Sequence, residues 1–328
     1  MISKKFRPFI FLVLALGSLS FVASAQKKPK KQDDGQGTPV LWKQGTISNR
    51  DLFLGPGGEA MKPDLTSVTF IEQDKNGHNK KYRIKDASGQ EWVAKIGKEA
   101  RPETAAVRLL WALGYVTEIN YLVPSLTIPG QGTFTNVRLE ARPKGVKRLE
   151  QWKWRDNPFL GTNELQGLKI MMVFLTNWDL LDMQNKILRV KTDGGVERQY
   201  IISDLGATFG RLGNNNIPMF YRIGRTTDDP KAWNEAGFIK GASNDHLELA
   251  STGQKSFGLM KDVTVSQGRW LLSMLRQLSD DQWRDAFRAA NYSPEEIQTL
   301  MSASKRRMND LEKATTTGGS AVVQKPKK

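Results

Sequence analysis

Asp179, Asp182 and Asn185 crowd a short polar stretch directly behind the apolar run ELQGLKIMMVFL, and Asp204 opens an Asp-Leu-Gly after QYIIS. A turn at Asp193-Gly194-Gly195 lies between the two groups. Carboxylate and amide oxygens at the mouths of two paired strands can hold a divalent metal against phosphate oxygens. Phosphoryl transfer asks a protein for that placement and for charge neutralisation, more than for covalent chemistry.

The elements that must position these groups follow from periodicity and turn residues. The run from Leu165 spells a buried helix, and the Asp193 turn separates two short strands. Upstream, residues 67–72, 81–85 and 91–96 alternate or are rich in β-branched side chains. Turns at Lys75-Asn76-Gly77 and Ala87-Ser88-Gly89 separate them, so a small antiparallel meander is expected. Pro102 opens a helix in which Ala106, Leu109, Leu110 and Leu113 share one face and Gly114 ends it. Two more strands, 121–128 and 136–141, flank a Pro-Gly turn. A connection carrying Trp152, Trp154 and Arg155 then leads to the apolar helix; the aromatic pair is expected to pack between lobes. Beyond Gly210 a loop rich in glycine, asparagine and proline runs to about Asp262. Helical text resumes after it, with N-caps at Ser279 and Ser293 and Pro294 at a first helical position. The fold class is α+β, with a β-rich first lobe over 38–143, a mostly helical second lobe over 144–313, and a disordered tail over 314–328.

Composition bounds the setting. The 328 residues are 39% hydrophobic with nine tryptophans, which is a folded composition. Lys4, Lys5 and Arg7 precede an apolar run over 9–22 that ends in Ala23-Ser24-Ala25, the order of a secretory signal peptide over 1–25. Residues 26–37 are a polar linker with little to bury. The expectation is a periplasmic or secreted protein. Cleavage would take the formal charge from +15 to +15 − 3 = +12, and seven of the remaining lysines lie in the two tails, where they can touch anionic envelope surfaces. With no cysteine, disulfides and thiol chemistry are excluded. His78 and His246 alone give no zinc-ligand spacing, and neither G-x-S-x-G nor a Walker A motif occurs. Export makes nucleic acid an unexpected partner.

Taken in order, the polar groups are Lys95 on a strand, Glu103 in the next helix, Asp179 and Asn185 in a loop after an apolar helix, and Asp204 in the Asp-Leu-Gly. That order resembles the protein-kinase-like fold, in particular its atypical branches: HipA-type toxin kinases, phosphatidylinositol 3-/4-kinases and CotH-type spore-coat kinases. The resemblance covers roughly residues 67–210. It implies a two-lobed fold with one αC-like helix and the use of ATP and Mg2+. It implies Lys95 on the α- and β-phosphates and Glu103 holding Lys95 through an ion pair, with Glu99 as a rival. Asn185 and Asp204 would hold magnesium, and Asp179 or Asp182 would serve the acceptor hydroxyl as base.

The departures from the pattern are specific. The kinase motif H-R-D-x-x-x-x-N separates Asp and Asn by five steps; here the separation is 185 − 179 = 6, with Trp178 ahead of the Asp. No G-x-G-x-x-G occurs, and its place is taken by KNGHNKK, where Lys75, Lys80 or Lys81 would meet phosphate by charge. Two functions stay open: an exported kinase acting on a hydroxyl of a protein, lipid or glycan, and a kinase-shaped module without turnover that recognises an envelope component.

Overall fold

The structure, a computed structural model, describes residues 37–75, 79–213, 223–250 and 258–317. The expected signal peptide, nearly all of the linker, His78 and the last eleven residues lie outside them. No helix among the described residues is long and apolar enough to cross a membrane.

The meander becomes a five-stranded antiparallel sheet. Its strands are β2 (Thr69–Asp74), β3 (Lys81–Lys85), β4 (Glu91–Lys95), β5 (Asn120–Ile128) and β6 (Gly132–Ala141), in the order β2-β3-β4-β6-β5. Pleating sends alternate side chains to opposite faces. Tyr82, Ile84, Trp92, Ala94, Leu139 and Ala141 therefore share an apolar face, which Met61, Leu65, Val68 and Phe70 help to cover. The other face is charged: Lys81 lies opposite Lys95, and Lys95 opposite Arg138, while Val93 lies opposite Glu140. Register alone thus brings Lys95, Arg138 and Glu140 together.

Helix α1 (Ala100–Ala112) begins two residues before Pro102. Its expected apolar face is buried: Ala106, Leu109, Leu110 and Leu113 all join the core of the helical lobe. Helix α2 (Asn163–Phe174) is the centre of that core, with Thr162 as N-cap and every residue from Leu165 to Phe174 buried. Burying one such aliphatic side chain stabilises by about 1.5–3 kcal/mol. Trp152 and Trp154 are 3% exposed and pack edge to face, 4.9 Å between centroids. A second sheet carries the far side of the site. It runs β1 (Thr38–Val40), β9 (Gly195–Ile202), β8 (Asn185–Thr192) and β7 (Lys147–Arg148), and β1 is parallel to β9.

Three expectations are corrected. The segment from residue 38 does not belong to the β-rich lobe. Leu41, Ile47 and Leu52 pack in the same core as α2, and Trp42 stacks edge to face on Trp270 of α4 (Val265–Leu275). Without periodicity in this stretch, only tertiary packing assigns it to a lobe. The long loop holds α3 (Pro230–Glu235), β10 (Ile239–Ser243) and β11 (His246–Leu249), elements too short for periodicity to reveal. After α5 (Asp280–Arg288), capped by Ser279, helix α6 runs over Pro294–Thr317. It continues into the expected tail because Ala314 and Thr315 are buried, at 4% and 1% exposure.

The 38–52 segment is tied to α5 by Gln282, whose Nε2 donates to the carbonyls of Ile47 (2.8 Å) and Arg50 (3.0 Å). Replacing Gln282 with Ala orphans the Arg50 carbonyl, leaves the Ile47 carbonyl with Arg50 N as its one donor, and removes the reciprocal N-cap bond to Ser279. We expect a loss of about 2–4 kcal/mol, read as a lowered midpoint in urea denaturation.

Candidate active site

Lys95 ends β4 and is 2% exposed. Its Nζ lies 2.7 Å from Glu99 Oε2, 3.0 Å from Glu103 Oε2 and 3.3 Å from Asp204 Oδ1. Burial works against the ammonium, but Glu103, Asp204 and Glu99 together outweigh it and hold Lys95 protonated. Glu103, in the first turn of α1, is fully buried and also meets Arg138 Nε at 3.2 Å. Both proposed partners, Glu103 and its rival Glu99, therefore contact the lysine.

Asp204 comes just after β9. Its Oδ1 accepts from Gly206 N (3.2 Å) as well as from Lys95, and its side chain is 35% exposed. Its Oδ2 has no hydrogen-bond partner among the described residues. Gly206 must be glycine, because a Cβ there would stand 2.5 Å from Glu99 Cβ. Asn185 starts β8 directly across from Ile202, so it and Asp204 mark adjoining strand ends. Asn185 is buried, with Nδ2 donating to Trp152 O at 3.1 Å, which leaves its carbonyl oxygen as the atom able to meet a cation.

Two aspartates competed for one role, and the structure places them differently. Asp179 follows the end of α2, where Thr176 takes a positive φ of 55° and Asn177 Oδ1 accepts from Asp179 N at 3.0 Å. Gln184 donates to its Oδ2 at 2.7 Å. Burial raises the Asp179 carboxyl above its ordinary range, and the negative charges of Asp204 and Glu99 push the same way. Asp182 is exposed and accepts from Trp154 N at 3.0 Å, so it holds the loop that carries Trp154. The two phosphate-loop lysines separate as well. Lys81 shares the charged face with Lys95, its cross-strand partner. Lys80 lies on the opposite face, its Nζ 4.9 Å from the Phe134 ring and 5.2 Å from the Tyr82 ring. Strand alternation forbids neighbours from sharing a face, and so Lys80 does not join the cluster.

The cluster extends into a buried ionic chain that sequence reasoning missed. Arg138 donates to Glu140 Oε2 at 2.9 Å; Arg142 and Arg148 both pair with Glu140, and Arg148 also with Glu118 and with the Ser203 hydroxyl, next to Asp204. The two-residue spacing of Arg138 and Glu140 on an alternating strand was the available signal; Glu118 and Arg148 offered none. Burial and the Glu140 charge push Glu118 up to about 7, whereas three guanidiniums hold Glu140 well below the carboxylate range.

Among the described residues no group of three or more His, Cys, Asp or Glu side chains is placed to hold a metal. A magnesium ion would rest on Asp204, whose free oxygen and partial exposure fit such a ligand, with Asn185 Oδ1 and phosphate oxygens completing the set.

Because the folded pKa of Glu118 lies above the unfolded value of 4.5, the folded state binds the extra proton between about pH 4.5 and 7. Stability from this group is therefore full below the lower value and lost as pH rises through the upper one. Glu118→Gln, which mimics the protonated acid, should flatten that decline in denaturation curves measured across the interval.

No family model matches the chain, and no curated protein matches it. Among solved structures it is similar to the Helicobacter pylori proinflammatory kinase CtkA. That match has a TM-score of 0.44 and 11% identity, and covers 78% of this chain and 98% of that one. It is also similar to the Rio2 kinase of Chaetomium thermophilum, solved as an ADP/Mg2+-phosphoaspartate complex. There the TM-score is 0.31 and the identity 10%, over 76% of this chain and 74% of that one.

Proposed function

We propose that this protein is an exported kinase-like phosphotransferase that moves the γ-phosphoryl group of ATP to a hydroxyl of a protein, lipid or glycan. The observation that carries the proposal is the meeting of Lys95, Glu103 and Asp204 within 3.3 Å, although Lys95 and Asp204 are 109 residues apart in the chain. Three elements converge to hold one cation at a crevice. Lys95 would bind phosphate oxygens, and Glu103, anchored by Arg138, would keep its ammonium in place. Asp204 and Asn185 would hold magnesium, which neutralises charge between the phosphates. Asp179 would take the proton of the acceptor hydroxyl as that oxygen bonds to the γ-phosphorus and the bond to the diphosphate leaving group breaks.

A cavity of about 670 Å3, lined by Lys98, Arg225, Asp228 and Glu296 among others and not by Asp204 itself, is where an acceptor would dock in this reading. Its wall includes Thr227, which donates to Gly206 O at 2.6 Å, and Arg225, which stacks over Trp178 next to Asp179. The second reading, a binding module without turnover, is favoured by the three carboxylates already crowding Lys95.

The purified chain incubated with labelled ATP and magnesium separates the two. We expect nucleotide binding and labelling that Asp204→Ala lowers by at least ~100-fold without altering the circular dichroism spectrum. Wild-type protein no more active and no better at binding ATP than this variant would end the enzymatic reading.

A further inference from the structure

Glu99 occupies the N-cap position of α1 yet makes no side-chain cap bond. Carboxylates at helix N-termini ordinarily accept from the free amides there. Glu99 instead turns back toward the sheet, and its Oε2 receives both the Lys95 ammonium at 2.7 Å and the Asn79 side-chain amide. Gly97, with a φ of 121°, makes the reversal between strand and helix, and its open side faces Asn79 Oδ1. On the remaining side the Glu99 side chain fills the space a Cβ on Gly206 would need, with Oε2 3.0 Å from that position. One oxygen with two donors, closed in by a glycine, is the environment of a bound oxyanion.

Glu99 also differs from Glu103 at Lys95, and from Asp204, which is 35% exposed but is held by Gly206 N at 3.2 Å. Glu103 is fixed by Arg138 and is 2% exposed, while Glu99 is 25% exposed and has no arginine partner among the described residues. It is the member of the trio that can leave. Asn79 stands where the missing glycine-rich loop would otherwise provide backbone amides.

We infer that Glu99 is an intramolecular placeholder for a nucleotide phosphate, and that Lys95 and Asn79 form the phosphate subsite it fills. Nucleotide entry displaces the Glu99 carboxylate, and Asn79 Nδ2 passes its hydrogen bond from that carboxylate to a phosphate oxygen. Asn79 is thereby assigned as a binding residue, and Glu99 as a competitor for Lys95, in place of a second supporting ion pair. The inference rests on the phosphotransfer reading and adds the direction in which Glu99 acts.

Calorimetric titration of the full chain with magnesium-ATP, and separately with inorganic tripolyphosphate, tests it. Removing the competing charge with Glu99→Gln should tighten both probes by about tenfold, and Glu99→Ala should do the same. Adding Asn79→Ala to Glu99→Gln should abolish most of that gain. Equal or weaker binding by both Glu99 variants, with wild type binding ATP, overturns the placeholder and leaves the phosphotransfer reading standing. Absence of binding by wild type and every variant overturns both.

Discussion

A lysine ammonium stripped of water is the constraint on which the site depends. Desolvating such a charge costs several kcal/mol unless carboxylates replace the lost hydration. Lys95 is 2% exposed and meets three of them. The end of β4, the first turn of α1 and the residue behind β9 therefore cannot be placed independently. β4 delivers the lysine, the start of α1 two acids and the segment after β9 a third, all at the same nitrogen.

Arg138 carries the constraint further. It sits beside Lys95 by strand register and bridges Glu103 to Glu140, so cations and anions alternate across the charged face of the sheet. The chain of charges then passes through Arg148 and Glu118 to Ser203, adjacent to Asp204. A buried network of this kind is stable only when each member is satisfied. Here Arg138 Nε rests on the Glu103 charge and its Nη1 has no hydrogen-bond partner among the described residues, while burial and the Glu140 charge raise Glu118 to about 7. Below the sheet the support is apolar. α2, buried along ten successive residues, sets the position of the loop in which Asn177 and Gln184 orient Asp179.

Much of this was legible beforehand wherever a single element carried its own signal. Strand alternation located β3 and β4, and helical spacing located the buried face of α1. The caps at Ser279 and Ser293 were readable because a capping box is local chemistry. The fold class followed from the order of polar groups along the chain, in which Glu103 and Asp204 both meet Lys95. Lys80 was misjudged because charge was considered without the alternation that sends it to the aromatic face. The segment from residue 38 was misassigned because its anchors lack a period.

By itself the sequence determined periodicity, caps, turns and the identity of the charged side chains, since each depends on neighbours within a few residues. Only the tertiary structure decided which acids surround Lys95, that Asp179 and not Asp182 stands near Asp204, and that Glu99 folds back onto the lysine. Those choices depend on register between strands distant in the chain and on which carboxylate can replace lost water around a buried cation. No local pattern encodes either.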